Sequence, residues 1–236
     1  MVPTLVREWS DGMRILIINP NTTAEMTEVI GDAARACARA PEDIKAVNPD
    51  SGPASIQGPE DGELALPGLF RVFESEVLDA DRCDAVIIAC FDDTGLWQLR
   101  QRSPVPVVGI GEAGYQVAML LGQRFSVVTT LSVSVPVLEN NIKMYGFSDR
   151  CSRVRASGIP VLEADSDQSF ERIASEVGTA FEQDNIQSVV LGCAGMANLA
   201  DQLTVRYDKP VIDGVAAAVG LCETATAATR ALKSSG

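Results

Sequence analysis

The strongest constraint on the fold is a series of short apolar runs spaced by helical patterns along the whole chain. Arg14–Asn19 (RILIIN), Ala85–Ala89 (AVIIA), Val105–Ile110, Phe125–Thr129 and Ser188–Leu191 are apolar at nearly every position. A strand written this way is covered on both faces, since a half-exposed strand would alternate apolar with polar. Weaker strands are expected at Ile44–Val47, Arg153–Ala156 and Val211–Ile212. Between the strands, helical spacing recurs. One helix runs from a Thr22 or Thr23 cap to about Ala38, and another over Leu69–Asp81 on Leu69, Val72, Phe73 and Val77. Further helices are expected at Leu96–Gln101, Val137–Tyr145, Gln168–Gln183, Ala197–Tyr207 and Val215–Leu232. Buried strands alternating with helices mean an α/β fold with parallel sheets and right-handed crossovers. Asn48–Pro67, rich in Pro, Gly, Asp and Ser, is predicted to be a long loop, of the kind that usually carries function. Residues 1–13 show no periodicity and are expected to form a flexible leader.

Self-comparison shows that the pattern is written twice. DAVIIAC at 84–90 matches QSVVLGC at 187–193, and RILIIN at 14–19 matches RFSVVT at 124–129. Pro106 in VPVVGIGEA and Pro210 in KPVIDGVAAA follow the two cysteines at nearly equal spacing. Each half therefore carries one cysteine, Cys90 or Cys193, at the carboxyl end of an equivalent strand. Ligands of open parallel sheets bind at those carboxyl ends. Copies related by a pseudo-twofold would aim both thiols into one cleft from opposite sides. A single cysteine ending an apolar strand is usually core; two at matched positions favour a site.

Composition narrows the chemistry. The chain has 236 residues and no histidine, so Ser-His-Asp and Cys-His relays are excluded and no imidazole can act as base. No CxxC or HExxH spacing offers a metal site. With 19 basic against 32 acidic residues and no basic cluster, nucleic acid is a poor partner. No apolar run is long enough to span a membrane. Six scattered cysteines without an export signal point to free thiols in the cytoplasm.

Two thiols on opposite faces of one carbon suit stereoinversion: one, as thiolate, removes a proton, and the other, as thiol, delivers one to the far face. A free thiol has a pKa of about 8.5, and backbone N–H groups can bring it toward neutrality. The turns after the cysteines, Phe91-Asp92-Asp93-Thr94-Gly95 and Ala194-Gly195-Met196, could supply such N–H groups and hold a developing enolate oxygen. No cofactor is required where the reacting C–H is flanked by a carbonyl. Asp92 and Asp93 read as first-turn acids pointing away from the thiol, Glu112 as a solvated residue, and Gly109, Gly111 and Gly114 as a hinge.

The segments RILIINPNTTAEMT, ACFDDTGL, VVTT, LGCAGM and KPVIDGVAAAV resemble the cofactor-independent Asp/Glu racemase superfamily, and within it the hydantoin and allantoin racemases. The resemblance runs from about Arg14 to about Leu232. It implies two flavodoxin-like parallel-sheet domains related by a pseudo-twofold, with the site in the cleft between them. The first would comprise 14–113 plus 210–236 and the second 114–209, crossing over near Gly111–Ala113. It also implies Cys90 and Cys193 as paired acid/base thiols, where the related arylmalonate decarboxylase keeps only the second. Asn19, Pro20, Asn21, Thr129 and Thr130 match loops bordering the substrate; Phe91, Asp92, Gly192, Ala194 and Gly195 match loops with backbone donors. Without the family, Asn19–Asn21 and Thr129–Thr130 serve equally as turns and caps. Ser55 and Ile56 are expected to reach the site from the Asn48–Pro67 loop. Thr94 stands where many relatives are expected to have Pro. The expected partner is a neutral cyclic ureide, and the expected assembly a homo-oligomer. An aspartate/glutamate-type racemase and a non-catalytic small-molecule binder remain as alternatives. The expected sulfur separation is roughly 7–9 Å, enough for one tetrahedral carbon between two near-attack approaches.

Overall fold

The computed structural model describes residues 13–78, 83–164 and 166–233, so all of the expected leader except Met13 lies outside the described residues. Strands β1 (Ile15–Ile18), β2 (Ile44–Val47), β3 (Ala85–Ile88) and β4 (Val107–Gly109) form a parallel sheet in the order β2-β1-β3-β4. Strands β5 (Phe125–Thr129), β6 (Cys151–Ala156), β7 (Ser188–Gly192) and β8 (Val211–Asp213) form a second in the order β6-β5-β7-β8. The two orders are the same, and each follows the open 2-1-3-4 arrangement of flavodoxin-like folds. The repeat in the sequence is thus a repeat of topology. β3 and β7 occupy equivalent inner positions, and each leads at its carboxyl end to a cysteine.

The apolar runs are explained by two cores per sheet. Along β1, Ile15 and Ile17 face a core shared by both sheets, while Leu16 and Ile18 face an outer core. The shared core continues through Ile87, Phe125, Val127 and Val190. The outer core of the first sheet is filled by Leu69 and Phe73 of helix α2 (Pro59–Phe73) and by Leu96 and Leu99 of α3 (Leu96–Arg100). That of the second is filled by Ile173, Ala174, Val177 and Ala180 of α6 (Asp167–Gln183) and Leu203 of α7 (Ala200–Tyr207). Helix α1 (Ala24–Cys37) follows β1, and α5 (Val135–Met144) follows β5.

The helices after the last strand of each sheet interlock the halves. α4 (Ile110–Leu121) follows β4 of the first sheet but packs on β7 of the second. α8 (Gly214–Lys233) follows β8 of the second sheet but packs on α1, β3 and β4, and the two helices pack on each other. The segment from 210 onward therefore first completes the second sheet as β8 and then crosses back as α8. Close approach accounts for the glycines expected to form a hinge. A Cβ at Gly111 would collide with the Phe91 carbonyl, and one at Gly114 would lie 2.7 Å from Val190. Gly111 and Gly114 serve packing inside a continuous helix, and Gly109 ends β4 where a Cβ would collide with the Asp93 carboxyl.

Two further expectations are corrected. The Asn48–Pro67 loop ends early, because α2 begins at Pro59 and continues past Phe73 as a π-helical turn, Glu74–Leu78. Pro59 stands in the first turn, where its missing N–H is harmless, and Glu60 and Asp61 suit the positive end of the helix. Gly68 is required because a Cβ there would sit 2.5 Å from the Ser51 carbonyl. The Ala197–Tyr207 helix is split into a 3-10 segment, Ala194–Leu199, and α7. Among the described residues no helix is long and apolar enough to cross a membrane.

Candidate active site

A cleft with about 380 Å³ of unfilled space, open mouth included, lies at the carboxyl ends of the two sheets, and both Cys90 and Cys193 line it. From the first half come Asn21, Ile56, Phe91 and Asp92; from the second, Thr129, Thr130, Gly192 and Ala194. Four further lining residues, Met26, Ala89, Ser134 and Val161, were not singled out from the sequence. Met26 and Ser134 had a signal in the repeat, because each stands near the start of the helix that follows a first strand, α1 or α5.

Asn19, Pro20, Ser55 and Gly195 do not line the cleft. Asn19 is buried behind it, donating its amide to Asn21 Oδ1 at 2.9 Å and to Thr27 Oγ1 at 3.0 Å. Asn21 Oδ1 also accepts the Thr23 N–H at 2.9 Å. The Thr23 hydroxyl does not cap α1; it donates to the Ala54 carbonyl at 2.7 Å and so ties the loop bearing Ile56 to the β1 loop. Ser55 is buried. Gly195 lies beside Cys193, where a Cβ would be 3.7 Å from the sulfur. Thr129 donates its hydroxyl to the Gly192 carbonyl at 2.9 Å, joining the ends of β5 and β7. Gln57 Oε1 accepts the Val161 N–H at 3.3 Å, so the loop before α2 bridges the halves beside the cleft.

The turn after Cys90 is held by a clamp. Asp93, at φ 52°, accepts the N–H of Gly111 at 3.0 Å, the N–H of Glu112 at 2.8 Å and the Tyr145 hydroxyl at 2.8 Å. Asn141, on the same face of α5 one turn before Tyr145, donates its amide to the Asp92 carbonyl at 2.8 Å. A helix of the second half thus grips the cysteine loop of the first. Asp93 does point away from the cleft, as expected; Asp92 does not. Glu112 is also corrected, since it forms an ion pair with Arg100 and is not solvated.

The electrostatics differ from expectation in one respect. Burial, and next to it the Asp92 charge, push the Cys90 thiol well above its ordinary value, against the Thr94 hydroxyl and the Asp92 N–H, which favour the thiolate. Desolvation pushes the Asp92 carboxyl up to about 7. Among the described residues no Lys or Arg lines the cleft. None of the cysteines is in a disulfide, and no cluster that could hold a metal ion is found among the described residues. The arrangement offers two thiols at equivalent positions of a duplicated fold, one carboxyl, hydroxyls from Thr and Ser, and no fixed cation.

Known proteins similar to this chain identify its family. A family model described as Asp/Glu/Hydantoin racemase matches residues 15–222. A hydantoin racemase from Rhizobium meliloti is 43% identical over 213 residues, covering 89% of this chain and 88% of that protein. A hydantoin racemase from Pseudomonas sp. (strain NS671) is 42% identical over 214 residues, covering 90% and 85%. The solved structure of an allantoin racemase from Klebsiella pneumoniae superposes with a TM-score of 0.86 at 39% identity, covering 94% of this chain and 89% of that one. With two sheets of one topology, a cysteine after each of the equivalent strands β3 and β7, and this extent of similarity, the chain belongs to the Asp/Glu/hydantoin racemase family.

Proposed function

We propose that the protein is a cofactor-independent racemase of 5-monosubstituted hydantoins or of allantoin, working by proton transfer between Cys90 and Cys193 at the ring C5 carbon. The observation that carries this reading is that both cysteines line one cleft from equivalent places in the two halves. The hydantoin and allantoin racemases among its relatives support the substrate class. So does a lining without Lys or Arg among the described residues, since an amino-acid substrate would want a cation for its α-carboxylate, whereas a cyclic ureide is neutral.

In one direction the Cys90 thiolate takes the C5 proton, and the C–H electron pair moves into the adjacent carbonyl to give an enolate. The Cys193 thiol then gives its proton to the opposite face of C5 as the carbonyl reforms. Cys90 ends as thiol and Cys193 as thiolate, and the reverse reaction exchanges the roles. Raising the Cys90 thiol by burial makes the thiolate, once formed, a stronger base toward a carbon acid. In this reading the enolate oxygen is received by backbone N–H groups of the turns beginning at Phe91 and Ala194. Free cysteines throughout suit work in a reducing cytoplasm.

The test is the decay of the circular dichroism of a single hydantoin enantiomer and of a single allantoin enantiomer, with and without the protein. Decay to zero signal faster than in buffer, without loss of the ring, is expected for one of them. Decay at the buffer rate for both would refute the reading.

A further inference from the structure

Thr94 stands four residues after Cys90 and is buried, with its Oγ1 3.5 Å from the Cys90 sulfur. It is held in place from both sides. Asp93 before it is clamped at φ 52° by α4 and Tyr145, and Gly95 after it has a φ of 72°. Among the described residues the Thr94 hydroxyl makes no other hydrogen bond, and it is the side-chain donor that reaches the Cys90 sulfur. It does not line the cleft.

We infer that Thr94 is a positioning residue for Cys90: its hydroxyl donates to the sulfur, orients it toward the cleft and holds the thiolate form. The direction of the bond follows from the chemistry. A thiol can donate its own proton to a hydroxyl oxygen, but a thiolate has none, so in the charged form the hydroxyl must be the donor. A hydrogen bond to a charged acceptor is stronger than one to a neutral acceptor, so it favours the thiolate over the thiol. The neighbouring titratable groups are Asp92 and Asp93 on the same loop and Cys193 across the cleft, and Asp92 opposes the thiolate by its charge. Thr94 offsets part of that opposition without entering the site. The inference rests on the reading of Cys90 as an acid/base thiol, but its geometry is independent of the substrate.

The experiment is alkylation of the intact protein by iodoacetamide across the neutral to alkaline range, with Cys90 and Cys193 followed separately by peptide mass spectrometry. Thr94→Val removes the hydroxyl at constant shape, Thr94→Ala removes it should the valine variant not fold, and Thr94→Ser keeps it. Loss of the bond is expected to move the Cys90 curve about one pH unit to the alkaline side, a roughly tenfold slower reaction at fixed pH, with Cys193 unmoved and Thr94→Ser within about twofold of the parent. The same alkaline shift should appear in the pH dependence of kcat, with KM nearly unchanged. An unmoved Cys90 curve in the hydroxyl-free variants, a serine variant that behaves like valine, or an equal shift of Cys193 would overturn the inference. Alkylation needs no turnover, so a protein that racemises neither ureide could still show the Cys90 shift; the two failures are distinguishable.

Discussion

Replacing Asp93 by Asn tests the clamp that carries the Cys90 loop. The carboxylate accepts three hydrogen bonds, from Gly111 N–H, Glu112 N–H and the Tyr145 hydroxyl, at a residue 6% exposed. Asn tolerates the left-handed backbone at φ 52°, so strain does not confuse the outcome. It keeps one acceptor oxygen, but its NH₂ must face at least one of the three donors. One buried donor is then left unpaired at a cost of about 1–3 kcal/mol, and above about pH 7, to which burial pushes the Asp93 carboxyl, the remaining bonds also lose the charge assistance of the carboxylate. The sum is about 2–4 kcal/mol, which for a chain of this size lowers Tm by roughly 5–15 °C. Tyr145→Phe removes one donor cleanly and should cost about 1–2 kcal/mol. The pair should couple by about 1 kcal/mol or more in a double-mutant cycle, because they share one bond. Thermal and urea unfolding by circular dichroism measure all three variants. A stable Asp93→Asn variant, or strict additivity with Tyr145→Phe, would refute the clamp.

Other consequences follow from the same geometry. Asp92 has a folded pKa raised to about 7 by desolvation, so the folded state binds more protons than the unfolded chain between the ordinary aspartate value and 7, and this group's contribution to stability falls as pH rises through that window. Asp92→Asn should therefore narrow the loss of stability from about pH 4 to pH 7 relative to the parent; identical pH profiles would show that Asp92 is not desolvated in the cleft. Arg155 bridges Asp184 at 2.7 Å and Glu176 at 2.9 Å, with side chains 9%, 3% and 28% exposed. Arg155→Met should cost about 3–5 kcal/mol in urea unfolding by leaving the Asp184 charge buried, and Arg155→Met with Asp184→Leu should recover a large part of it.

The fold was legible because its inner strands must be apolar on both faces, and that left continuous runs in the sequence at β1, β3, β5 and β7. The cysteines were legible because duplication placed them at matched strand ends. The start of α2 was not, because Pro59, Gly62, Pro67 and Gly68 are local signals for a loop. Contact with the Ser51 carbonyl, which only the tertiary structure provides, explains Gly68. Neighbouring Asp92 and Asp93 are alike in sequence and opposite in fate. Which of them meets Tyr145 and α4, and which is left in the cleft, is decided by the left-handed turn at Asp93. Glu112 and Arg100 lie far enough apart that no periodicity pairs them; the packing of α3 beside β4 does. The crossing of α4 and α8 between the halves left its trace in glycines, whose purpose appears only with the close contacts they permit.

The central claim is that two thiols serve opposite faces of one carbon. It is tested most directly by C5 proton exchange with solvent deuterium in the single replacements Cys90→Ser and Cys193→Ser, measured by NMR on each pure enantiomer as excess over the buffer rate. A serine hydroxyl is a far weaker base than a thiol, so each variant should lose racemisation by several powers of ten. Each should keep exchange on the face where its remaining thiol stands, so that Cys90→Ser exchanges one enantiomer and Cys193→Ser the other. If both variants exchange the same enantiomer, or if either keeps near-full racemisation, the two-thiol account is wrong.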